Sequence, residues 1–146
     1  MAIKKKNVIV FTAGDNSYAV QLGWIREVFT LGHVTPVPLA PASIAGVVNF
    51  RGSIVSVVDL RSVAGDSPDA VAYACQGESA LLIEVNRNQV ALRAGTIDEV
   101  SSLSPAARAG HLTDSRGREV ELLMPEELLT QVLGSIPSGP RELRSS

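Results

Sequence analysis

The chain has 146 residues, of which 45% are hydrophobic and 19% charged, and its formal net charge is −2. This composition supports a packed core in one compact domain or two small subdomains, and it excludes global disorder. The slight negative balance argues against a general polyanion binder, and the single cysteine, Cys75, excludes an internal disulfide and suits a reducing compartment.

Lys4-Lys5-Lys6 reads as a solvated N-terminal arm. Val8 to Phe11 is an apolar run, too short for the core of a signal peptide, and it predicts a buried strand. Gly14 to Ser17 is a turn cluster, and Tyr18 to Leu22 returns as the second strand. Ile25, Val28 and Phe29 continue the apolar pattern as a third strand or a short helical turn; periodicity leaves both open. Three prolines between Thr35 and Pro41 predict an extended connector, because proline cannot donate to a ladder. Ala42 to Ala45 suits one helical turn.

Gly46 to Arg61, GVVNFRGSIVSVVDLR, is the most informative stretch. Two runs rich in β-branched residues flank an Arg-Gly reversal, the pattern of a β-hairpin. Gly52 supplies the backbone freedom of the turn, and Arg51 stands at its tip, where a guanidinium on a stiff scaffold suits a partner carboxylate. Gly65 to Ser79 is rich in Gly, Ser, Asp and Ala and predicts a loop, with Val71 to Cys75 as an edge segment. Ser79 to Val85 and Val90 to Leu92 predict strands joined by a turn at Asn86-Arg87-Asn88, and Ser104 to Gly110 a short connector. Pro125 to Leu133 predicts a helix, with Pro first, Glu126 and Glu127 in the first turn and Gly134 at the end. Ile136 to Ser146 suits a frayed tail.

Two segments recur. Ala19 to Val28 aligns without a gap on Ala91 to Val100, with Ala, Gly, Ile, Glu and Val matching in register. Arg116 to Leu123 is a weaker echo of the Arg51 hairpin, and both echoes keep the same order. The chain therefore reads as two copies of a β unit of roughly 65 to 70 residues, and short strands at close spacing predict small barrels rather than a parallel sheet.

Catalytic chemistry is sparse. His33 and His111 stand in no ligand cluster, so no metal and no cofactor are expected. Cys75 has no adjacent base and reads as an inert thiol, and no loop matches a phosphate cradle. Aromatic residues make up 4% and are scattered, which argues against nucleic acid as a partner. No segment approaches the roughly 20 apolar residues that span a bilayer, so no direct membrane insertion and a cytoplasmic location are expected.

The order Val-Phe-Thr-x-Gly-x-x-x-Tyr (Val10 to Tyr18), Ile-x-Glu-Val (Ile25 to Val28) and the run from Pro38 through Gly46-Val-Val-Asn-Phe-Arg51-Gly to Val58-Asp59-Leu60-Arg61 resembles CheW, the coupling-protein family of bacterial chemotaxis. The resemblance is strong over residues 8–65, moderate over 79–103 and weak from 104 to 133. It implies a mainly β fold of two five-stranded barrels around a shared seam, with a short C-terminal helix. The implied CheW-like domain is 8–134, with repeat units at about 8–64 and 79–134, an arm at 1–7 and a tail at 135–146. It implies no enzymatic activity. The partners it implies are the cytoplasmic tip of a chemoreceptor and the regulatory domain of a CheA-type histidine kinase, met in the bacterial cytoplasm at receptor arrays.

Carried over by motif, Ile25, Glu27, Gly46 and Arg51 match receptor-binding positions, while Gly52 and Asp59 match the turn and its acidic anchor. Each receptor position also has a plainer reading: Ile25 as core, Glu27 as a solvated strand residue, Gly46 as a positive-φ position, and Arg51 as a brace bonding Asp59 or a carbonyl. The chain departs from the family pattern at Ser56, at Met124, at Arg93-Ala94-Gly95-Thr96 in place of a mostly apolar stretch, and in the short Pro105 to Gly110 connector. These departures suggest a trimmed second barrel, in an adaptor of a separate chemosensory system for pilus motility or development, or in one that binds receptor without kinase.

Overall fold

The computed structural model describes residues 5–40, 43–61, 67–114 and 116–134. Strand β1 (Lys6–Ala13) turns at Gly14-Asp15 into β2 (Asn16–Gln21), with Val8 opposite Gln21 and Phe11 opposite Tyr18. β1 is a continuous apolar run because both of its faces are covered. Val8 joins Ala19, Leu103, Leu112 and Val120 in one core, while Ile9 and Phe11 enter a second. A single 3₁₀ turn, Leu22–Trp24, leads into β3 (Ile25–Thr30), which decides the open choice there in favour of a strand with a turn before it.

β4 (Ile44–Phe50) and β5 (Ser53–Val58) form the hairpin, with Phe50 opposite Ser53. The expected helical turn is overturned within the described residues, since Ile44 and Ala45 already open β4. The edge segment at Val71 to Cys75 is overturned too: helix α1 spans Pro68–Cys75. Ser67 Oγ accepts the Ala70 N–H at 3.2 Å, Pro68 starts the helix and Asp69 lies in its first turn. That start signal was present in the sequence, but the loop-like composition around it outweighed it.

β6 (Ser79–Val85) and β7 (Asn88–Ala94) form the third two-residue hairpin, after those at Gly14-Asp15 and Arg51-Gly52, and turn at Asn86-Arg87. β8 (Ile97–Pro105), β9 (His111–Thr113) and β10 (Glu119–Leu122) follow, and α2 (Pro125–Gly134) closes the described chain. Leu128 and Leu129 of α2 pack into the central core. The tail expected after 135 lies outside the described residues.

The strands form two five-stranded sheets that exchange segments between the repeat units. Barrel one is the closed ring β1-β2-β10-β9-β8, and sheet two runs β3-β6-β7-β5-β4. Each therefore takes a hairpin from one unit and three strands from the other. The aligned segments Ala19 to Val28 and Ala91 to Val100 are the two crossings, where the chain leaves one sheet and enters the next after two or three residues. The symmetry extends to the joints. β2 pairs β10 in parallel and β5 pairs β7 in parallel, while β1 pairs β8 and β3 pairs β6 antiparallel.

The seam holds Ile9, Phe11, Val20, Val58, Leu81, Ile83, Val90 and Leu92, drawn from both units. Barrel one closes through Ser104–Thr113 and Pro105–Leu112. The short connector therefore leaves its five-stranded ring complete. Sheet two closes more weakly, through one bridge. Thr35 N donates to the Val47 carbonyl at 2.8 Å and Val47 N to the Thr35 carbonyl at 2.9 Å.

Candidate functional site

The Phe50–Ser53 reversal has φ of 51° at Arg51 and 89° at Gly52, the pattern of a tight primed hairpin turn. Asn49 Oδ1 accepts the Gly52 N–H at 2.9 Å and locks it. Arg51 is thereby held at the tip with its side chain 71% exposed. Its Nη2 donates to Glu27 Oε2 at 2.9 Å, and its guanidinium lies 4.9 Å from the Phe50 ring centre. Phe50 in turn meets Phe29 at 4.6 Å between ring centres. The brace reading is therefore replaced: Arg51 bonds Glu27 of β3, not Asp59 or a carbonyl of its own turn.

A β-bulge explains how Glu27 reaches that position. Ile25 faces Ile83 across β6, but Glu27 faces Leu82, so the register slips by one between them. Ile83 belongs to the seam and Leu82 to the core of sheet two. The slip sends Ile25 into the seam, where it packs half-buried, and turns Glu27 and Phe29 towards sheet two. Ile25 and Glu27 thus do not share a face, although their spacing of two suggested it. An exposed ion pair of this kind stabilises by only about 0 to 1 kcal/mol. Among the described residues the guanidinium uses only one of its five donors in a hydrogen bond. Val28, 46% exposed beside Glu27, and Ile54, 69% exposed beside the turn, add apolar surface on the same two segments. Neither was singled out from the sequence, because one exposed aliphatic in a strand carries no signal of its own.

Gly46 belongs elsewhere. It is buried at a register shift in β4, and a Cβ there would lie 2.6 Å from both the Thr35 carbonyl oxygen and Val34 Cγ1. Glycine is required because the connector crosses there to close sheet two, and no side chain is offered to a partner.

Asp59, 2% exposed, ends β5 as an anchor. Its Oδ1 accepts Arg61 N at 2.9 Å and Nε at 3.2 Å, and Oδ2 accepts Arg61 Nη2 at 3.1 Å and Arg93 Nη1 at 2.9 Å. Burial works to raise this carboxyl, but the hydrogen bonds from Arg61 and the charges of Arg61 and Arg93 outweigh it and hold the pKa below the usual range. Arg93 is itself buried. It donates from Nε to Glu78 Oε1 at 2.8 Å and from Nη2 to the Ala74 carbonyl at 3.3 Å, tying the end of α1 to β5 and β7. The sequence marked Arg93 as a departure from an apolar stretch, and this network is its reason. Burial pushes the neighbouring Cys75 thiol up, away from the reactive thiolate. Among the described residues no three His, Cys, Asp or Glu side chains gather as a metal site, and no helix is long and apolar enough to cross a membrane.

Comparison with known proteins adds a relationship to this geometry. The family model for the CheW-like domain matches residues 7–125. The chemotaxis protein CheW of Rhizobium meliloti is 35% identical over 60 residues, 41% of this chain and 39% of that protein. The chemotaxis protein CheW of Klebsiella aerogenes is 30% identical over 102 residues, 66% of this chain and 56% of that protein. The matches thus span about two fifths to just over half of these relatives' lengths. Among solved structures, the scaffolding protein TtCheW of Thermoanaerobacter tengcongensis matches with a TM-score of 0.62 at 19% identity, covering 82% of this chain and 89% of that one. At that identity the likeness establishes the fold.

Proposed function

This chain belongs to the CheW-like domain family, and on that premise we propose that it is a non-enzymatic chemotaxis adaptor. It couples the cytoplasmic tip of a chemoreceptor to the regulatory domain of a CheA-type histidine kinase, in the cytoplasm at receptor arrays. The observation that carries the reading is the Glu27–Arg51 pair, two motif positions 24 residues apart that meet at 2.9 Å on an exposed edge. Ile25 supports the site from the seam, Gly46 by letting the sheet close behind it, and Gly52 by shaping the turn. Asp59 anchors the far end of the same hairpin.

The test is co-sedimentation with receptor-bearing membranes or receptor-tip fragments. Arg51→Ala is expected to bind about tenfold more weakly with its fold intact, the size of a moderate interface residue. Undiminished binding by the folded variant would reject the reading. The short 106–110 connection between β8 and β9 favours a second one, an adaptor that binds receptor but not kinase. Capture of the kinase regulatory domain at the same affinity as a full-length family member removes it.

A further inference from the structure

We propose that the open mouth of barrel one binds a small zwitterion of the size of a free di- or tripeptide. This site is separate from the Arg51 surface on sheet two. The ring of barrel one leaves a cavity of about 560 Å³ at one end. That volume suits a small-molecule ligand, and barrel mouths are a usual place for one. Val10, Leu103 and Val120 give it an apolar floor and Ser101 a hydroxyl. The rim carries both signs of charge: Arg116 and Arg118 against Asp98 and Glu119.

The rim is built by the turn between β9 and β10. Asp114 Oδ1 accepts the backbone N–H of Arg116 at 2.9 Å and of Arg118 at 2.8 Å, and Oδ2 accepts Arg118 Nε at 2.9 Å. Asp114 is consumed by that turn, and Arg118 is partly consumed. Arg116, Asp98 and Glu119 make no ion pair among the described residues. This is where the echo of the first hairpin departs from its original, because Arg51 is already matched by Glu27. A ligand carboxylate fits the forked guanidinium of Arg116, its ammonium falls to Asp98 or Glu119, and short apolar side chains rest on the floor. A ligand with one charge leaves half the rim unmatched, which gives the preference for a zwitterion.

The experiment is an amide-resolved NMR titration of the full chain with trialanine, run beside trialanine amide and N-acetyl-trialanine. Saturable millimolar shifts at Ser17, Ser101 and Glu119 are expected, each control binding at least about fivefold more weakly. Arg116→Gln and Glu119→Gln, both at exposed positions, are expected to keep the dispersed spectrum and lose the shifts. Shifts that never saturate, equal affinity for the singly charged controls, or binding unchanged in both variants would overturn the site. Receptor co-sedimentation of Arg116→Gln is expected to match the parent, so this result and that of the adaptor reading fail independently.

Discussion

Barrel one and sheet two are built from equivalent strands, yet they close differently. Barrel one closes by strand pairing between β8 and β9, whereas sheet two closes by the single Thr35–Val47 bridge, reached only because residue 46 is glycine. Backbone bonds hold the first ring shut. The flank of the second, between β3 and β4, is held by side chains: Phe29 on Phe50 and Glu27 with Arg51. Where a backbone ladder is missing, side-chain groups are left facing water, and those groups are the ones proposed above to meet a receptor. On the proposed function, recognition uses the weaker closure, because a partner can compete with side chains but not with a paired ladder.

The comparison breaks most sharply at Gly46. Gly46→Val is expected to cost about 4 kcal/mol, because the added carbons meet the Thr35 carbonyl. Thermal unfolding measures this, and an unchanged midpoint would refute the closure argument. Arg93→Ala comes next, at about 3 kcal/mol, since it leaves buried Asp59 with Arg61 alone; the double variant Asp59→Asn with Arg93→Met is expected to recover much of the loss in the same assay.

The Asp59 anchor also sets a pH dependence. Its folded pKa is lowered, so its contribution is fully present above the unfolded value of about 3.9 and disappears as pH falls through the folded value. The gap in unfolding midpoint between the parent and Asp59→Asn is expected to narrow below about pH 4. A gap that stays constant down to about pH 2 would count against it. The smallest effect belongs to Glu27→Ala, which is expected to change stability by less than about 1 kcal/mol, because solvent screens the pair. The same variant is expected to weaken receptor binding as Arg51→Ala does, and a double variant no weaker than either single one would show that the two act as a unit.

Much of this was legible in the chain. The Phe-Arg-Gly-Ser reversal, the two-sided apolar runs of β1 and β6, the Pro-Glu-Glu start of α2 and the duplication are all local signals, because turn chemistry and strand burial depend on neighbours in sequence. The start of α1 at Ser67-Pro68-Asp69 was legible too, but composition outweighed it. Glu27 and Arg51 were each legible as motif positions; their meeting was not.

The sequence by itself determined that the chain is a duplicated β protein with an arginine at a rigid turn, since period-two burial and turn residues act over a few bonds. Only the tertiary structure decided that each ring borrows strands from both copies, that a bulge parts Ile25 from Glu27, and that Gly46 and Arg93 owe their identities to Thr35 and Asp59. Those features depend on contacts between residues from 11 to 103 positions apart, where the chain's path through space, not its local preferences, determines which atoms meet.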